Sequence, residues 1–434
     1  MKNLSRLALT IGAAALIVGC GGSQPQLPIA IQGATRQDRS IALNTLHVLS
    51  KENVLHSFAS GDDGDNPVDA PIAIGDSLYG TAGFGGDGCL NGCGVVYKVS
   101  ASGRERILYA FKGGSDGDNP SGSLIDVNGV FYGSTLYGGG SDCRSRDAEG
   151  CGTLFELAPS GKERVLYRFL GKTQGAMPIS GLTHLKDAFY GEAAGGGMGK
   201  CSYASHQYRG CGLLFKWSQS KSLTIVYTFK GGGDGATPQG GLLLFEGHLY
   251  GTTSGGGSQA CYFNDGCGTV FRVTPSGQAV ILHRFTGSWQ DGAVPLSGLV
   301  VVRGNLYGTT ISGGKHNCGA YYYLPCGTVF EVTPSGEEQV IYNFRGGADG
   351  AFPNTLIAVD GKLYGTTRNG GGSCGCGTVF EVTPSGRETI LYQFRGGTDA
   401  SVPYSGLIDA KGVFYGTTIF GGDHHDGTLY SLAL

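Results

Sequence analysis

One pattern occurs seven times in this 434-residue chain, and no other feature constrains its fold so tightly. The clearest copy is residues 241–285, GLLLFEGHLYGTTSGGGSQACYFNDGCGTVFRVTPSGQAVILHRF. A Tyr-Gly step recurs at Tyr79, Tyr132, Tyr190, Tyr250, Tyr307, Tyr364 and Tyr415, and a Phe closes each unit at Phe58, Phe111, Phe169, Phe229, Phe285, Phe344 and Phe394. Successive closing Phe residues stand 50 to 60 positions apart; setting aside the residues enclosed by each Cys pair narrows the range to 49 to 52. A constant frame therefore carries one variable, Cys-bounded loop.

Each unit divides into four strand-like runs, here a to d, as in Gly241–Glu246, His248–Thr253, Gly268–Thr274 and Ala279–Phe285. The a–b link is a two-residue turn such as Glu246-Gly247 or Asp360-Gly361, a hairpin signal. The c–d link, Thr-Pro-Ser-Gly, combines a preset proline φ with a glycine free to take positive φ. In run d, Ile390, Tyr392 and Phe394 are expected to face one way, with polar residues facing water from an outer edge strand. Run a is more uniformly apolar (LLLF, LVVV, LIAV) and is expected to be an inner strand covered on both sides.

Seven four-stranded units of about 56 residues predict an all-β, seven-bladed β-propeller. The chain begins on a d-like run, Val54–Phe58, and finishes on a c-like run, Gly427–Ala433, so the N-terminal strand is expected to complete the last blade. That closure hides edges that would otherwise invite association. A stacked β-solenoid is the rival, but its turns need fewer residues, and nothing here resembles a terminal cap.

Composition excludes other classes. The 81 glycines follow no three-residue period, which removes collagen, and 40% hydrophobic residues with 22 Tyr and 20 Phe supply a core that a disordered chain lacks. Charged residues make up 15%, the net charge is -3 and there is no basic run, so nucleic acid is not an expected partner.

Residues 1–19 have the form of an export signal: Lys2 and Arg6, then an apolar stretch from Leu7 to Val18. Ile17-Val18-Gly19-Cys20 resembles a bacterial lipobox, in which Cys20 becomes the lipidated first mature residue. Gly21 after it resembles lipoproteins sorted to the outer membrane. Residues 20–40 then form a polar tether, leaving 41–434 for the propeller, expected to be monomeric and held to the membrane by its lipid.

The twelve other cysteines form six close pairs, Cys89/Cys93, Cys143/Cys151, Cys201/Cys211, Cys261/Cys267, Cys318/Cys326 and Cys374/Cys376. An even count in an exported chain favours disulfides. Structural zinc needs tighter spacing than intervals enclosing 1 to 9 residues. Cys374 and Cys376 are the doubtful pair, since so small a ring is strained.

The pattern LYGTT…GG…CGTVFEVTPSG…LYxFxGGxDGxxP resembles the GloVer tandem-repeat family of bacterial surface proteins with a choice of anchors. The likeness covers about residues 43–434, and residues 326–336 and 376–386 are identical, CGTVFEVTPSG. It implies export, repetition and surface anchoring, and no reaction.

Strand parity places the b–c loops, with their cysteines, on one face with the Gly-Gly-x-Asp-Gly-x-x-Pro d–a loops, and the short a–b and c–d turns on the other. Loops on a rigid scaffold carry binding disproportionately. The stapled face is therefore the candidate, and its aromatics Tyr203, Tyr208, Tyr262, Phe263, Trp289, Tyr321, Tyr322 and Tyr323 suit stacking on a glycan or anchoring a protein; packing within their own loops is the alternative. The recurring Asp63, Asp116, Asp234, Asp349 and Asp399 are expected to shape turns, with calcium the alternative. Asp423-His424-His425-Asp426 in the cysteine-free seventh unit is expected to be a solvated turn rather than a metal site. No GxSxG, HExxH or Asp-box-like run occurs, and Glu156, Glu331 and Glu381 recur in run c as surface positions. The expected function is binding or adhesion without a cofactor; a carbohydrate-active enzyme with its site at the ring axis is the alternative.

Overall fold

A computed structural model describes residues 51–434 other than 90–91, 141–142, 144–149, 202–209, 219–221, 262–265 and 319–324. Seven antiparallel sheets follow one another along the chain, each built from runs a to d in order. Blade four, for example, runs Leu243–Phe245, His248–Gly255, Thr269–Val273 and Ala279–Arg284. The seventh takes its outer strand from the start of the chain: Lys51–Ser57 pairs antiparallel with Thr428–Ala433, as the end runs predict. Among the described residues the remaining regular structure is four single 3₁₀ turns and short strands in d–a segments, such as Ala236–Pro238 and Ala351–Pro353 on strand b and Gly292–Ala293 paired with Ser312–Gly313.

The repeated motifs have repeated physical causes. The Gly of each Tyr-Gly step lies under an aromatic ring of strand c: a Cβ on Gly251 would stand 2.5 Å from the ring of Phe271, its cross-strand partner. That ring meets the closing Phe of the preceding blade edge to face, at 5.1–5.2 Å in all seven junctions, from Phe58–Tyr97 to Phe394–Tyr430. Such pairs add to the burial of two rings that are essentially inaccessible. The second Thr of LYGTT bonds the Thr of CGTVF across the sheet, as in Thr253–Thr269 at 2.8 Å. Blades one and three replace that pair together, with Ala82 opposite Val95 and Ala193 opposite Leu213.

The a–b turns have the positive φ values of a tight hairpin, 51° and 75° at Asp360 and Gly361. In the c–d turn, Gly277 N–H donates to Thr274 O at 2.8 Å with φ 95°. Two expectations are corrected. Ile390 packs toward blade five, whereas Tyr392 and Phe394 pack toward blade seven. A β-bulge between the partners of Val379 and Phe380 inserts Leu391 and switches the face, and every blade carries the same bulge. Strand a is half-buried rather than covered on both sides, because Ile357–Val359 and its counterparts form the innermost edge of each sheet.

Candidate functional site

All six cysteine pairs are joined: Cys89 with Cys93, Cys143 with Cys151, Cys201 with Cys211, Cys261 with Cys267, Cys318 with Cys326, and Cys374 with Cys376. Six disulfides in one chain mark an oxidising, extracytoplasmic compartment. Each lies directly on the d–a loop that follows: a Cβ on Gly113, Gly171, Gly231, Gly287, Gly346 or Gly396 would meet a cystine sulfur within 2.9 Å. These contacts bring the b–c and d–a loops onto one face, as strand parity requires. The same glycines have φ of 67–78°, so both the backbone and the sulfur exclude a side chain.

The cystines are largely buried. Cys93, Cys151, Cys211, Cys267 and Cys326 have no accessible surface, Cys143 has almost none, and Cys376 is buried. The second cysteine of each pair opens the approach to strand c, where its side chain joins the core between blades. Its carbonyl also accepts the N–H of the residue before the next loop proline, as Cys151 O does from Met177, Cys211 O from Thr237, Cys267 O from Val294 and Cys326 O from Phe352. These cysteines therefore hold the face from beneath and offer nothing to a ligand directly.

The seventh unit solves the same problem without sulfur. Asp426 stands where the second Cys of the other units stands, and its carbonyl accepts from Asn66 N–H as Cys93 O accepts from Asn119 N–H. Its carboxylate accepts the Ser60 hydroxyl at 2.5 Å. Ser60 occupies the glycine position, at φ 58°. His424 and His425 are exposed beside it.

The seven d–a segments converge on an axial funnel of about 400 Å³. Its wall is mainly Gly, Ser and Leu from the segments after each loop proline, such as Ser180-Gly181 and Ser297-Gly298. The polar side chains on it include Asp69, Gln239, Asn354, Arg368 and Tyr404, and no histidine lines it among the described residues. The Arg368 guanidinium lies 3.9 Å from the centre of the Tyr404 ring, and its Nε donates to Asn354 Oδ1 at 2.9 Å. The funnel wall is tied together by the first hydroxyl residue after each Tyr-Gly: Thr252 donates to Ser297 O, Thr366 to Ser405 O and Thr417 to Asp69 O.

Two carboxyl groups interrupt this pattern. Glu192 replaces the hydroxyl residue in blade three and accepts Gly241 N–H at 2.8 Å; burial pushes its carboxyl up to about 7. Asp69 replaces the Ser of the Pro-x-Ser segment and accepts Gly122 N–H at 2.7 Å. Burial pushes it up to about 7 against that bond. Neither residue is among those assigned to the site from the sequence. The signal was present in the sequence: YGEA and PVDA depart from the recurring YGTT and PxSG.

The recurring aspartates shape their own loops. Asp234 accepts Lys230 N–H at 2.8 Å and the Tyr227 hydroxyl; Asp116, Asp349 and Asp399 repeat both bonds. Asp63 accepts Ala59 N–H, with His56 in place of the tyrosine. At five blade junctions a glutamate from the next strand d closes on this pair: Glu52, Glu105, Glu163, Glu338 and Glu388. Each has a buried Oε1 without a hydrogen-bond partner. Burial and, after it, the neighbouring aspartate push Glu163 and Glu388 up to about 7.

Of the predicted ligand-contacting aromatics, Tyr203, Tyr208, Tyr262, Phe263, Tyr321, Tyr322 and Tyr323 lie outside the described residues, as do Cys20, the export signal and the tether. Trp289 is 61% exposed on the stapled face, with the Lys315 ammonium 6.0 Å from its ring. Glu156 and Glu381 pair with Arg164 and Lys362 on the outside of their sheets. Glu331 is buried rather than on the surface, because Asn305, Tyr307 and Gln339 all donate to it. No described helix is long and apolar enough to cross a membrane.

The profile of a family described as the Gloeobacter/Verrucomicrobia repeat matches residues 44–204, 201–326 and 263–434. No curated protein matches the chain in sequence. Solved structures similar to it include the computationally designed Ika8 protein, at 12% identity over 88% of this chain and 99% of that one, with a TM-score of 0.44. A gluconolactonase from Xanthomonas campestris is 12% identical over 89% and 90%, TM-score 0.41. A luciferin-regenerating enzyme is 10% identical over 89% and 95%, TM-score 0.41. At these scores the likenesses carry nothing about activity.

Proposed function

The chain belongs to the Gloeobacter/Verrucomicrobia repeat family, and on that premise we propose that it is a binding or adhesion module, anchored to the outer membrane through lipid on Cys20, that takes a glycan or a protein on its stapled face. The observation that carries this reading is the packing of each disulfide on the neighbouring d–a loop. It makes one face of the ring a rigid, loop-built surface around an open funnel. Rigid loops limit the ordering cost of association. The polar wall and the Arg368–Tyr404 pair give that surface donors, acceptors and a stacking plane, which suit a sugar or a peptide. In this reading Trp289, exposed on the same face, adds a ring for the ligand, and Tyr203, Tyr208, Tyr262, Phe263 and Tyr321 to Tyr323 are further contact candidates on the strength of the sequence.

A glycan array probed with residues 41–434 tests the proposal. Binding is expected to fall at least tenfold in the Tyr321→Ala/Tyr322→Ala/Tyr323→Ala triple variant and in Arg368→Ala. One observation favours the enzyme alternative, namely Asp69 with its carboxyl raised to about 7 on the funnel wall. Turnover of an arrayed glycan that Asp69→Asn abolishes, with binding by the triple variant intact, would replace the binding reading with the catalytic one.

A further inference from the structure

The junction between blades four and five differs chemically from its tyrosine-bearing counterparts. His283 of strand d stands between Asp291 of its own loop and Glu338 of the next blade. Its Nε2 is 3.3 Å from Asp291 Oδ1 and 3.9 Å from Glu338 Oε2, and one ligand atom from each of the three residues falls within 4.8 Å of the others. One junction further on, Tyr342 fills the same place between Asp349 and Glu388 and donates its proton to Asp349. A phenol satisfies the aspartate outright. An imidazole can instead present a lone pair.

We propose that His283, Asp291 and Glu338 form a site for a divalent transition-metal cation of the zinc class, clamping blade four to blade five. Three observations support it. Tetrahedral zinc holds nitrogen and oxygen ligands at about 2.0–2.2 Å, so neighbouring ligand atoms are about 3.3–3.5 Å apart. The 3.3 Å separation, a long hydrogen bond in the metal-free protein, also matches that edge, and the 3.9 Å separation needs only a small closure by Glu338. Second, the Glu338 side chain is 8% exposed and its buried Oε1 lacks a hydrogen-bond partner, which leaves that oxygen free for a ligand. Third, the Asp291 carboxylate is fixed from behind by Thr286 N–H and Oγ1 and by Gly292 N–H, at 2.7–2.8 Å, the kind of outer support that ligating carboxylates carry. One nitrogen and two carboxylates favour zinc-class ions over calcium, which takes six to eight oxygens.

The test uses the full chain purified without a histidine tag, stripped with chelator and titrated with zinc chloride. Calorimetry is read together with elemental analysis after gel filtration. One retained equivalent and a zinc-dependent rise in melting temperature are expected. Both should be lost in His283→Gln and Glu338→Gln, with metal-free circular dichroism unchanged in at least one of the two. Tyr342→His should install a second equivalent at the next junction. His56→Gln should leave the stoichiometry at one, because Glu105 is not gathered with His56 and Asp63 in this way. No retained zinc, or zinc that survives both His283→Gln and Glu338→Gln, overturns the proposal. So does loss in a His56→Gln or a His424→Gln/His425→Gln variant.

Discussion

Six junctions on the stapled face are held by a disulfide lying on a glycine, and the seventh by Asp426 bonded to Ser60. The two solutions share a backbone. Ser60 N–H bonds Gly64 O as Gly113 N–H bonds Gly117 O, and Asp426 O occupies the place of a cysteine carbonyl. They differ in what holds the chain. The stapled loops are tied within their own unit, whereas the Ser60–Asp426 bond ties residues 366 positions apart. The seventh unit is where the first and last strands of the ring meet, and its staple joins those two segments rather than one loop to itself. Ring closure then rests on three noncovalent layers: the Lys51–Ser57 ladder, the Phe394–Tyr430 and Phe58–Tyr97 ring pairs flanking blade seven, and this bond.

The largest effect is expected from breaking that closure. Deletion of residues 51–58 removes an outer strand and Phe58, and exposes the edge of Thr428–Ala433. Loss of cooperative thermal unfolding and of soluble monomer, measured by calorimetry and gel filtration, is the expected result. Deleting both cysteines of any single staple should leave a cooperative ring. A deletion variant that melts as the parent does would show that the six other blades close without their clasp.

The repeat made most of this frame legible. Tyr-Gly, the closing Phe, CGTVF and Thr-Pro-Ser-Gly each encode a contact repeated in nearly every blade, so periodicity alone carried blade number, strand order and closure. Two features were hidden by their chemistry. The bulge at Leu391 adds an apolar residue to an apolar run and leaves no mark on composition. The residue before each loop proline is Asn66, Asn119, Met177, Thr237, Val294, Phe352 or Val402, which share no side-chain property, yet all have φ of 55–59°. Their common role is a backbone one, donating N–H to the preceding unit's Cys or Asp carbonyl. In the funnel, Asp69 and Glu192 are readable as departures from the frame, but the frame alone does not mark their positions as part of a wall. Exposure favours loops for binding, and buried carboxyls announce themselves only once the wall is assembled.

A smaller effect should separate the two staples directly. At Gly231 an added Cβ would meet Cys201 Sγ at 2.7 Å and take φ of 78°. Gly231→Ala should therefore cost about 1–2 kcal/mol in chemical denaturation, and part of that cost should vanish once the disulfides are reduced. Ser60→Gly relieves the left-handed strain of Ser60 and loses its bond to Asp426, so its net change should be within about 1 kcal/mol and insensitive to reductant. Equal responses of the two variants to reductant would mean that the sulfur contact is incidental to the glycine.

The smallest effect concerns the tyrosine-bearing junctions, where a glutamate and an aspartate share one hydroxyl. Glu163 and Glu388 are pushed up to about 7 and Glu52 to about 8, from an ordinary value of 4.5, first by burial and then by the facing aspartate. A carboxyl whose folded pKa is raised binds its proton more tightly in the ring than in the unfolded chain. Its contribution to stability is present in full below pH 4.5 and is lost as pH climbs through 7 to 8. The melting temperature should accordingly decline from about pH 5 to about pH 8. Partial exposure screens each group, so Glu163→Gln or Glu388→Gln should flatten the decline by only on the order of 1–2 °C apiece. Glu105, facing Asp63, is also pushed up to about 7, first by burial, and the same substitution there should flatten the decline by a similar amount. A steeper decline in the glutamine variants would mean that these carboxyls are ionised in the ring and held by partners other than the facing aspartate.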